Sequence, residues 1–199
     1  LSGFKPQEIS NILWAYATAD ESHPRLYKKF ADNIIAMKDL SGFIPQHFSN
    51  IFWAYATAGQ SHPLLFQKLA VVVITRCNNF NSQDIANLLW AFATVAIIDQ
   101  PLFSSFAPTV KLILVKCNSQ DVANIGWAYA VANVNDPLLF NIDFVAALQA
   151  KANGFVEVIV DAQKGIGIDQ MLGLHQAAAR FQKLGAFIRN DDIQPSRAL

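Results

Sequence analysis

Two amide side chains recur at a fixed spacing in four parts of the chain. The pairs are Gln7 and Asn11, Gln46 and Asn50, Gln83 and Asn87, and Gln120 and Asn124. An amide carries both hydrogen-bond donors and an acceptor, so it can contact a nucleotide or join neighbouring segments. Residues that discriminate bases should differ between segments, and these do not. The sequence therefore favours a structural role, in which the amides form a ladder that bonds each segment to the next.

Two further polar positions vary between the segments and are better candidates for reading a ligand. One holds Glu8, His47, Asp84 and Asp121, and the other holds Lys5, Ile44, Asn81 and Asn118. An acidic residue there can accept a hydrogen bond from a base amino group, although an acid in a first helical turn also stabilises the helix itself. The candidate RNA-contacting residues are Lys5, Glu8, Asn11, His47, Asn50, Asn81, Asp84, Asn87, Asn118, Asp121 and Asn124. Asp84 is the one that we most expect to face a ligand.

No arrangement of residues predicts catalysis, a metal or a cofactor. His23 and His62 each stand in a Ser-His-Pro sequence, where loop or capping roles are expected. Cys-x-x-Cys and His-x-x-x-His spacings do not occur, and the glycines at 165 and 167 lack the third glycine of a dinucleotide fingerprint. Cys77 and Cys117 occupy different positions in their segments, so we expect reduced thiols. The sequence predicts a protein that is not an enzyme.

Each amide pair precedes a tryptophan, and these tryptophans define a repeat. Trp14, Trp53, Trp90 and Trp127 are separated by 39, 37 and 37 residues, and self-similarity at such a period indicates a stacked repeat array. The first helix of each repeat is expected to begin near Pro6 or its equivalent, and the second at a later proline. One helical hairpin cannot bury its own apolar face, so neighbours must stack. We predict an all-α solenoid of four two-helix repeats, at about 2–40, 41–78, 79–116 and 117–153.

The first helices show how such repeats could pack. Ile9, Leu13, Tyr16 and Ala17 share one face of the first helix. Alanines recur at fixed places in the first helices of all four repeats: Ala15, Ala17, Ala54, Ala56, Ala91, Ala93, Ala128 and Ala130. These small side chains should allow neighbouring helices to approach closely.

The repeat pattern fades after about residue 153. Alternating valines at 156–160 predict a strand, and a helical stripe follows from Met171 to Leu184. Residues 154–188 would cap the array or begin another module, and 189–199 would be a flexible tail. At the other end, Leu1 to Phe4 repeat as Leu40 to Phe43, so we expect Leu1 to be the last residue of an earlier repeat.

Composition limits the partners. The chain is 53% hydrophobic and 15% charged, and Lys plus Arg equals Asp plus Glu, so it lacks the global basic field of an autonomous nucleic-acid binder. No apolar run approaches the roughly 18 residues of a membrane-spanning helix, so we expect no membrane insertion.

The repeat consensus F-x-P/S-Q-x-I/F-S/A-N-x-x-W-A-Y/F-A-T resembles a known family. Its residues in the first repeat are Phe4, Pro6, Gln7, Ser10, Asn11, Trp14, Ala15, Tyr16 and Ala17. The pattern resembles the octotricopeptide-type repeats of algal and protist organelle proteins, and is similar to repeats of FAST-kinase-like and RAP-domain proteins. The resemblance covers about residues 2–153 and implies a curved α-solenoid that binds RNA in a chloroplast or mitochondrion. No kinase motif accompanies it.

These observations leave two hypotheses for function. The leading one is sequence-selective binding of single-stranded, organellar RNA along one face of the array, in organelle RNA metabolism or translation. The alternative is a protein–protein scaffold, in which the same groove holds a peptide or a neighbouring subunit of a ribonucleoprotein or other large complex.

Overall fold

The computed structural model of the 199-residue chain describes residues 3–20 and 23–134, together with positions 136, 139, 144 and 147. This part of the chain is all-helical and contains no strand. Its α-helices are α1 (Pro6–Thr18), α2 (Pro24–Ala36), α3 (Pro45–Thr57), α4 (Pro63–Ile74), α5 (Ser82–Thr94), α6 (Gln100–Ile113) and α7 (Ser119–Val131). Short 3-10 segments, Cys77–Asn79 and Leu114–Lys116, follow α4 and α6. The all-α prediction is confirmed over these residues.

The first helices of the repeats, α1, α3, α5 and α7, begin where the sequence predicts. In α1 and α3 a proline occupies the first position, where its missing N–H removes no helical hydrogen bond. In α5 and α7, Asn81 and Asn118 precede the helix, and each side-chain oxygen accepts from the backbone amide three residues later at 2.8 Å. Such a cap satisfies an amide that the helix itself leaves without a partner.

Every first helix also ends in the same way. The residue after the C-cap has a positive φ in all four repeats: Asp20 (55°), Gly59 (63°), Ala96 (56°) and Asn133 (52°). The amide that follows it bonds back into the last turn in repeats two to four, from Gln60 to Tyr55, from Ile97 to Phe92 and from Val134 to Tyr129, at 2.8–3.0 Å. This left-handed termination reverses the chain, so the second helix of the repeat folds back against the first.

The helices form two layers. The first helices pack side by side in chain order, whereas the second helices, α2, α4 and α6, contact one another much less extensively. Ala54, Ala91 and Ala128 are fully buried. These small side chains permit the close approach that the sequence predicts. The first helices therefore form the more closely packed layer, and we call the exposed surface of this layer the inner face.

Aromatic side chains fill the space between the layers. The rings of Phe52, Phe66 and Phe92, from α3, α4 and α5, lie 4.8–4.9 Å apart between centroids, in tilted or edge-on arrangements. Such pairs contribute about 0.5–1.5 kcal/mol beyond the burial of their area. The core is therefore shared between repeats and not enclosed within one hairpin.

Buried tyrosine hydroxyls join neighbouring repeats. Tyr55 in α3 donates to the carbonyl oxygen of Tyr27 in α2, and Tyr129 in α7 donates to that of Phe103 in α6, both at 2.6 Å. Burial raises the pKa of both tyrosines above the ordinary value. In α5 the equivalent residue is Phe92, which has no hydroxyl, so this hydrogen bond joins the second repeat to the first and the fourth to the third.

The predictions for the C-terminal part lie outside the described residues. They are the strand at 156–160, the helix that follows it, the tail at 189–199 and most of the second helix of repeat four. The division of the chain near residue 153 into an array and a capping segment stays a prediction.

Candidate functional site

The first-turn position is used to start the helix in repeats one, two and four, where it holds Glu8, His47 and Asp121. The backbone amide of Lys5 donates to Glu8 Oε2 at 2.8 Å, and that of Asn118 donates to Asp121 Oδ2 at 3.0 Å. In repeat two, the amide of Ile44 approaches Nδ1 of His47 at 3.4 Å, and partial burial lowers the pKa of this histidine. Each of these side chains reaches back to the residue that precedes its helix, as in a capping box.

Asp84 is placed differently from our expectation. Its side chain is only 6% exposed, and Oδ1 accepts a hydrogen bond from the Ser49 hydroxyl of the preceding repeat at 2.8 Å. Burial raises the pKa of the Asp84 carboxyl, against the hydrogen bonds from Ser49 and the backbone near Asn81, which lower it. Asp121 is only 4% exposed. Both carboxylates lie within packed helix flanks, because neighbouring first helices cover them, and neither faces solvent as a ligand-reading residue would.

The N-cap position, which holds Lys5, Ile44, Asn81 and Asn118, also serves the start of the helix in two repeats. The side-chain oxygens of Asn81 and Asn118 are engaged by helix amides, so they serve their own helices. Lys5 and Ile44, which hold this position in repeats one and two, are exposed. Their contact with RNA stays a prediction.

The amide ladder predicted from the sequence is wrong. Gln7, Gln46, Gln83 and Gln120 are exposed, Asn11 is exposed, and Asn50, Asn87 and Asn124 are half-buried. Within the described part of the chain, none of these amide side chains makes a hydrogen bond. Other side chains join the repeats, among them the tyrosine hydroxyls and Ser49, which donates to Asp84. The repeated amides are therefore available to a ligand.

These amides belong to a longer row of side chains along each first helix. In α1 the row is Gln7, Asn11, Trp14 and Thr18, at positions i, i+4, i+7 and i+11, which lie on one face of a helix. The core residues Ile9 and Leu13 lie on the opposite face. We call this row the amide–tryptophan stripe. Its equivalents are Gln46, Asn50, Trp53 and Thr57 in α3; Gln83, Asn87, Trp90 and Thr94 in α5; and Gln120, Asn124, Trp127 and Val131 in α7.

The tryptophans of the stripe differ in exposure. Trp14 is 47% exposed, Trp53 and Trp90 are half-buried, and Trp127 is 4% exposed. In the sequence these tryptophans served to define the repeat, and they were not among the candidate residues. The signal that could have found them was their spacing of seven from the glutamine and three from the asparagine, which places all three side chains on one face.

The inner face carries little charge. None of the four first helices contains Lys or Arg. Two cations of the second-helix layer are engaged elsewhere: Lys68 Nζ donates to the carbonyl oxygens of Ile35 and Met37 at 2.6 Å, and Arg76 donates to that of Phe43 at 3.1 Å. The face is suited to stacking of aromatic rings and to hydrogen bonds between neutral groups. It lacks the basic side chains that attract phosphate strongly.

The described residues contain no group of His, Cys, Asp and Glu that could hold a metal ion, and no helix among them is long and apolar enough to cross a membrane. The chemistry on the described inner face is that of amides, hydroxyls and indole rings, repeated from one helix to the next.

The stacked helical hairpins define the class of α-helical repeat proteins. The family model of the RNA-editing substrate-binding complex 6 protein matches residues 2–166, and the chain belongs to this family. No match is found among curated proteins. The more specific similarity to octotricopeptide-type repeats stays a prediction.

Proposed function

We propose that this protein binds single-stranded RNA along the four amide–tryptophan stripes, as a helical-repeat subunit of an RNA-editing substrate-binding complex. One observation carries the proposal: neighbouring first helices present the same amides beside a tryptophan, and these amide side chains make no hydrogen bond in the described part of the chain. Membership of the family adds support, because its name refers to a complex that binds the substrate of RNA editing.

The stripe offers the two contacts that single-stranded RNA needs from a protein with little charge. An indole ring stacks on an unpaired base, which contributes about 1–3 kcal/mol per base. The neighbouring amides can then bond to base edges, to the ribose 2′-hydroxyl or to a phosphate oxygen. The side-by-side packing of the first helices places these contacts in one row on the inner face.

The remaining features of the proposal follow from the resemblance and the family together. The protein acts in an organelle, in RNA metabolism, and its mechanism requires neither catalysis nor a cofactor. A chloroplast and a mitochondrion both fit the repeat resemblance.

A protein–protein scaffold is the second candidate, and the outer layer favours it. Leu64 and Val71 of α4 are 65% and 67% exposed, and Leu112 of α6 is 79% exposed. The lack of Lys and Arg in the first helices also suits a protein ligand better than a polyanion. Under this hypothesis the inner groove holds a peptide or a neighbouring subunit.

A matched pair of amide substitutions tests the proposal. The chain and its variants are titrated into a fluorescein-labelled random 12-nucleotide RNA, and binding is followed by anisotropy. Asn50→Ala with Asn87→Ala removes two stripe amides, and Gln67→Ala with Gln100→Ala removes two exposed amides from the second-helix layer. We expect the stripe variant to lose about tenfold in affinity, from two hydrogen bonds of about 0.5–1.5 kcal/mol each. The outer variant should bind within about twofold of the wild type.

Two results would contradict RNA binding at this face. One is the absence of saturable binding by the wild-type chain, and the other is an equal loss in both variants. Titrations at two salt concentrations separate the two functions, because RNA binding weakens as salt rises and an apolar protein interface does not. Both variants should keep the wild-type melting temperature, because these amides make no hydrogen bond in the described part of the chain.

A further inference from the structure

The four stripes are nearly identical, and this limits what they can distinguish. Glutamine, asparagine and tryptophan recur in every repeat, and the last position is threonine in three repeats and Val131 in the fourth. A repeat protein that reads a base sequence must present different side chains to different bases. The stripes present the same side chains each time, so they offer no means of preferring one sequence over another.

The positions that do vary are occupied by structural contacts. Asp84 and Asp121 are buried, and the side chains of Asn81 and Asn118 cap their helices. Of the two exposed N-cap residues, Ile44 has no polar side-chain atom, and Lys5 is a point charge suited to phosphate. Variation in the first turn therefore supplies no set of base-reading side chains.

The side chains of the stripe are suited to any base. An indole ring stacks on purines and pyrimidines alike, since every base has a π-face. A side-chain amide offers an acceptor oxygen and a donor nitrogen, and rotation about its last bond exchanges their positions. It can therefore meet either a donor or an acceptor on the base edge.

Helix spacing sets the conformation of the strand. Packed helices lie about 8–10 Å apart, whereas bases stacked in a helical strand are about 3.4 Å apart. Bases that occupy neighbouring stripes are too far apart to stack on one another. Each occupied stripe therefore holds one base against its own tryptophan, which a duplex cannot provide.

Only a stripe whose tryptophan is exposed to solvent can stack a base on the indole ring. Trp14, Trp53 and Trp90 have accessible surface, while Trp127 is 4% exposed. Three of the four tryptophans can thus act as platforms.

We propose that the inner face holds single-stranded RNA without preference for base sequence, in an extended conformation, with bases stacked on Trp14, Trp53 and Trp90. This inference rests on the proposed function. It adds the absence of base-sequence preference and the extended conformation of the bound RNA strand. The uniform contacts would allow the protein to accept many different RNA substrates.

Homopolymers test the lack of sequence preference. The full chain is titrated with labelled rU, rA and rC 12-mers and with a random 12-mer, and a perfectly paired RNA hairpin serves as competitor. We expect affinities for the single strands within tenfold of one another, and no competition from the duplex. A preference above tenfold for one single strand, or effective competition by the hairpin, would overturn the inference while leaving RNA binding intact. Absence of binding to every RNA would instead refute the proposed function.

Intrinsic fluorescence tests the platforms directly, because the only tryptophans of the chain are those of the stripes. RNA should quench the wild-type emission, and Trp14→Phe, Trp53→Phe and Trp90→Phe should each remove part of the quenching. Trp127→Phe is the matched control and should leave the quenching unchanged. The assignment of platforms is contradicted if RNA binds without quenching, or if the Trp127 variant loses as much quenching as the others. Circular dichroism of each variant confirms that it is folded.

Discussion

The stripe and the flanks of the same first helices differ in how their polar groups are used. On the flanks, Asp84 is buried and accepts from Ser49 of the preceding repeat. On the stripe, one turn further along, Asn87 is half-buried and makes no hydrogen bond in the described structure. The asparagine is identical in all repeats and the acid is not. The conserved spacing of the amides therefore marks an accessible surface, and the variable position marks packing.

The contrast between Asp84 and Asn87 shows that variation between repeats does not identify the residues that contact a ligand. The buried polar atoms have different hydrogen-bond partners at each interface between repeats. Between repeats two and three, Ser49 bonds to Asp84; between repeats three and four, Ala86 replaces the serine, and Tyr129 donates to a carbonyl instead. A flank residue changes with the neighbour that covers it. A residue on the inner face has no such neighbour among the residues that the structure describes, so packing there does not require it to change.

The largest effect should come from enlarging a flank alanine. Ala91 is fully buried between first helices, so Ala91→Leu would force α5 away from its neighbours and should lower the free energy of unfolding by about 1–3 kcal/mol or more. The control is Ala15→Leu, at the same repeat position but exposed, where we expect a change within about 0.5 kcal/mol. Urea unfolding followed by circular dichroism measures both. Equal destabilisation would mean that the close packing of this layer does not depend on small residues.

A pair of asparagines in one helix gives the sharpest test. Asn81 caps α5 through its side-chain oxygen, so Asn81→Ala should lower stability by about 0.5–2 kcal/mol. Asn87 makes no hydrogen bond among the described residues, so Asn87→Ala should leave stability within about 0.5 kcal/mol of the wild type. Thermal melts of the two variants decide the question. A lower melting temperature for the Asn87 variant would support the hypothesis that the amides bond each repeat to the next.

The smallest effect concerns the charge of Asp84. Burial raises the pKa of this carboxyl, so its contribution to stability is present below the ordinary carboxyl pKa and is lost as the pH rises through the raised value. Asparagine has the same shape and can still accept from Ser49, but it does not ionise. The stability of Asp84→Asn relative to the wild type should therefore rise with pH over that interval, measured by urea unfolding at several pH values.

Ser49→Ala provides the companion experiment. The hydrogen bond from Ser49 lowers the pKa of Asp84, so its removal should raise that pKa further and strengthen the pH dependence. A relative stability of Asp84→Asn that falls as the pH rises would show that the ionised carboxylate is favoured in the flank.

Much of the fold could be read from the sequence. The tryptophan period, the helix-starting prolines and asparagines and the flank alanines are local signals, and the first helices begin where they indicate. The candidate site was less predictable. Asp84 is polar, varies between repeats and lies near a helix start. A ligand-reading residue and a buried residue between two helices both fit this description, and only the position of the neighbouring helix distinguishes them.

An array of helical hairpins can be predicted from local sequence signals alone, because repeat period, capping and apolar spacing depend on residues close together along the chain. The tertiary packing of the helices determines which polar residues a neighbouring helix covers. Asp84 is buried because α3 lies against α5 and brings Ser49 to it. Asn87 is accessible because no helix of the described residues lies over the inner face there. Burial depends on residues about 35 positions away, and a pattern within one repeat carries no record of them.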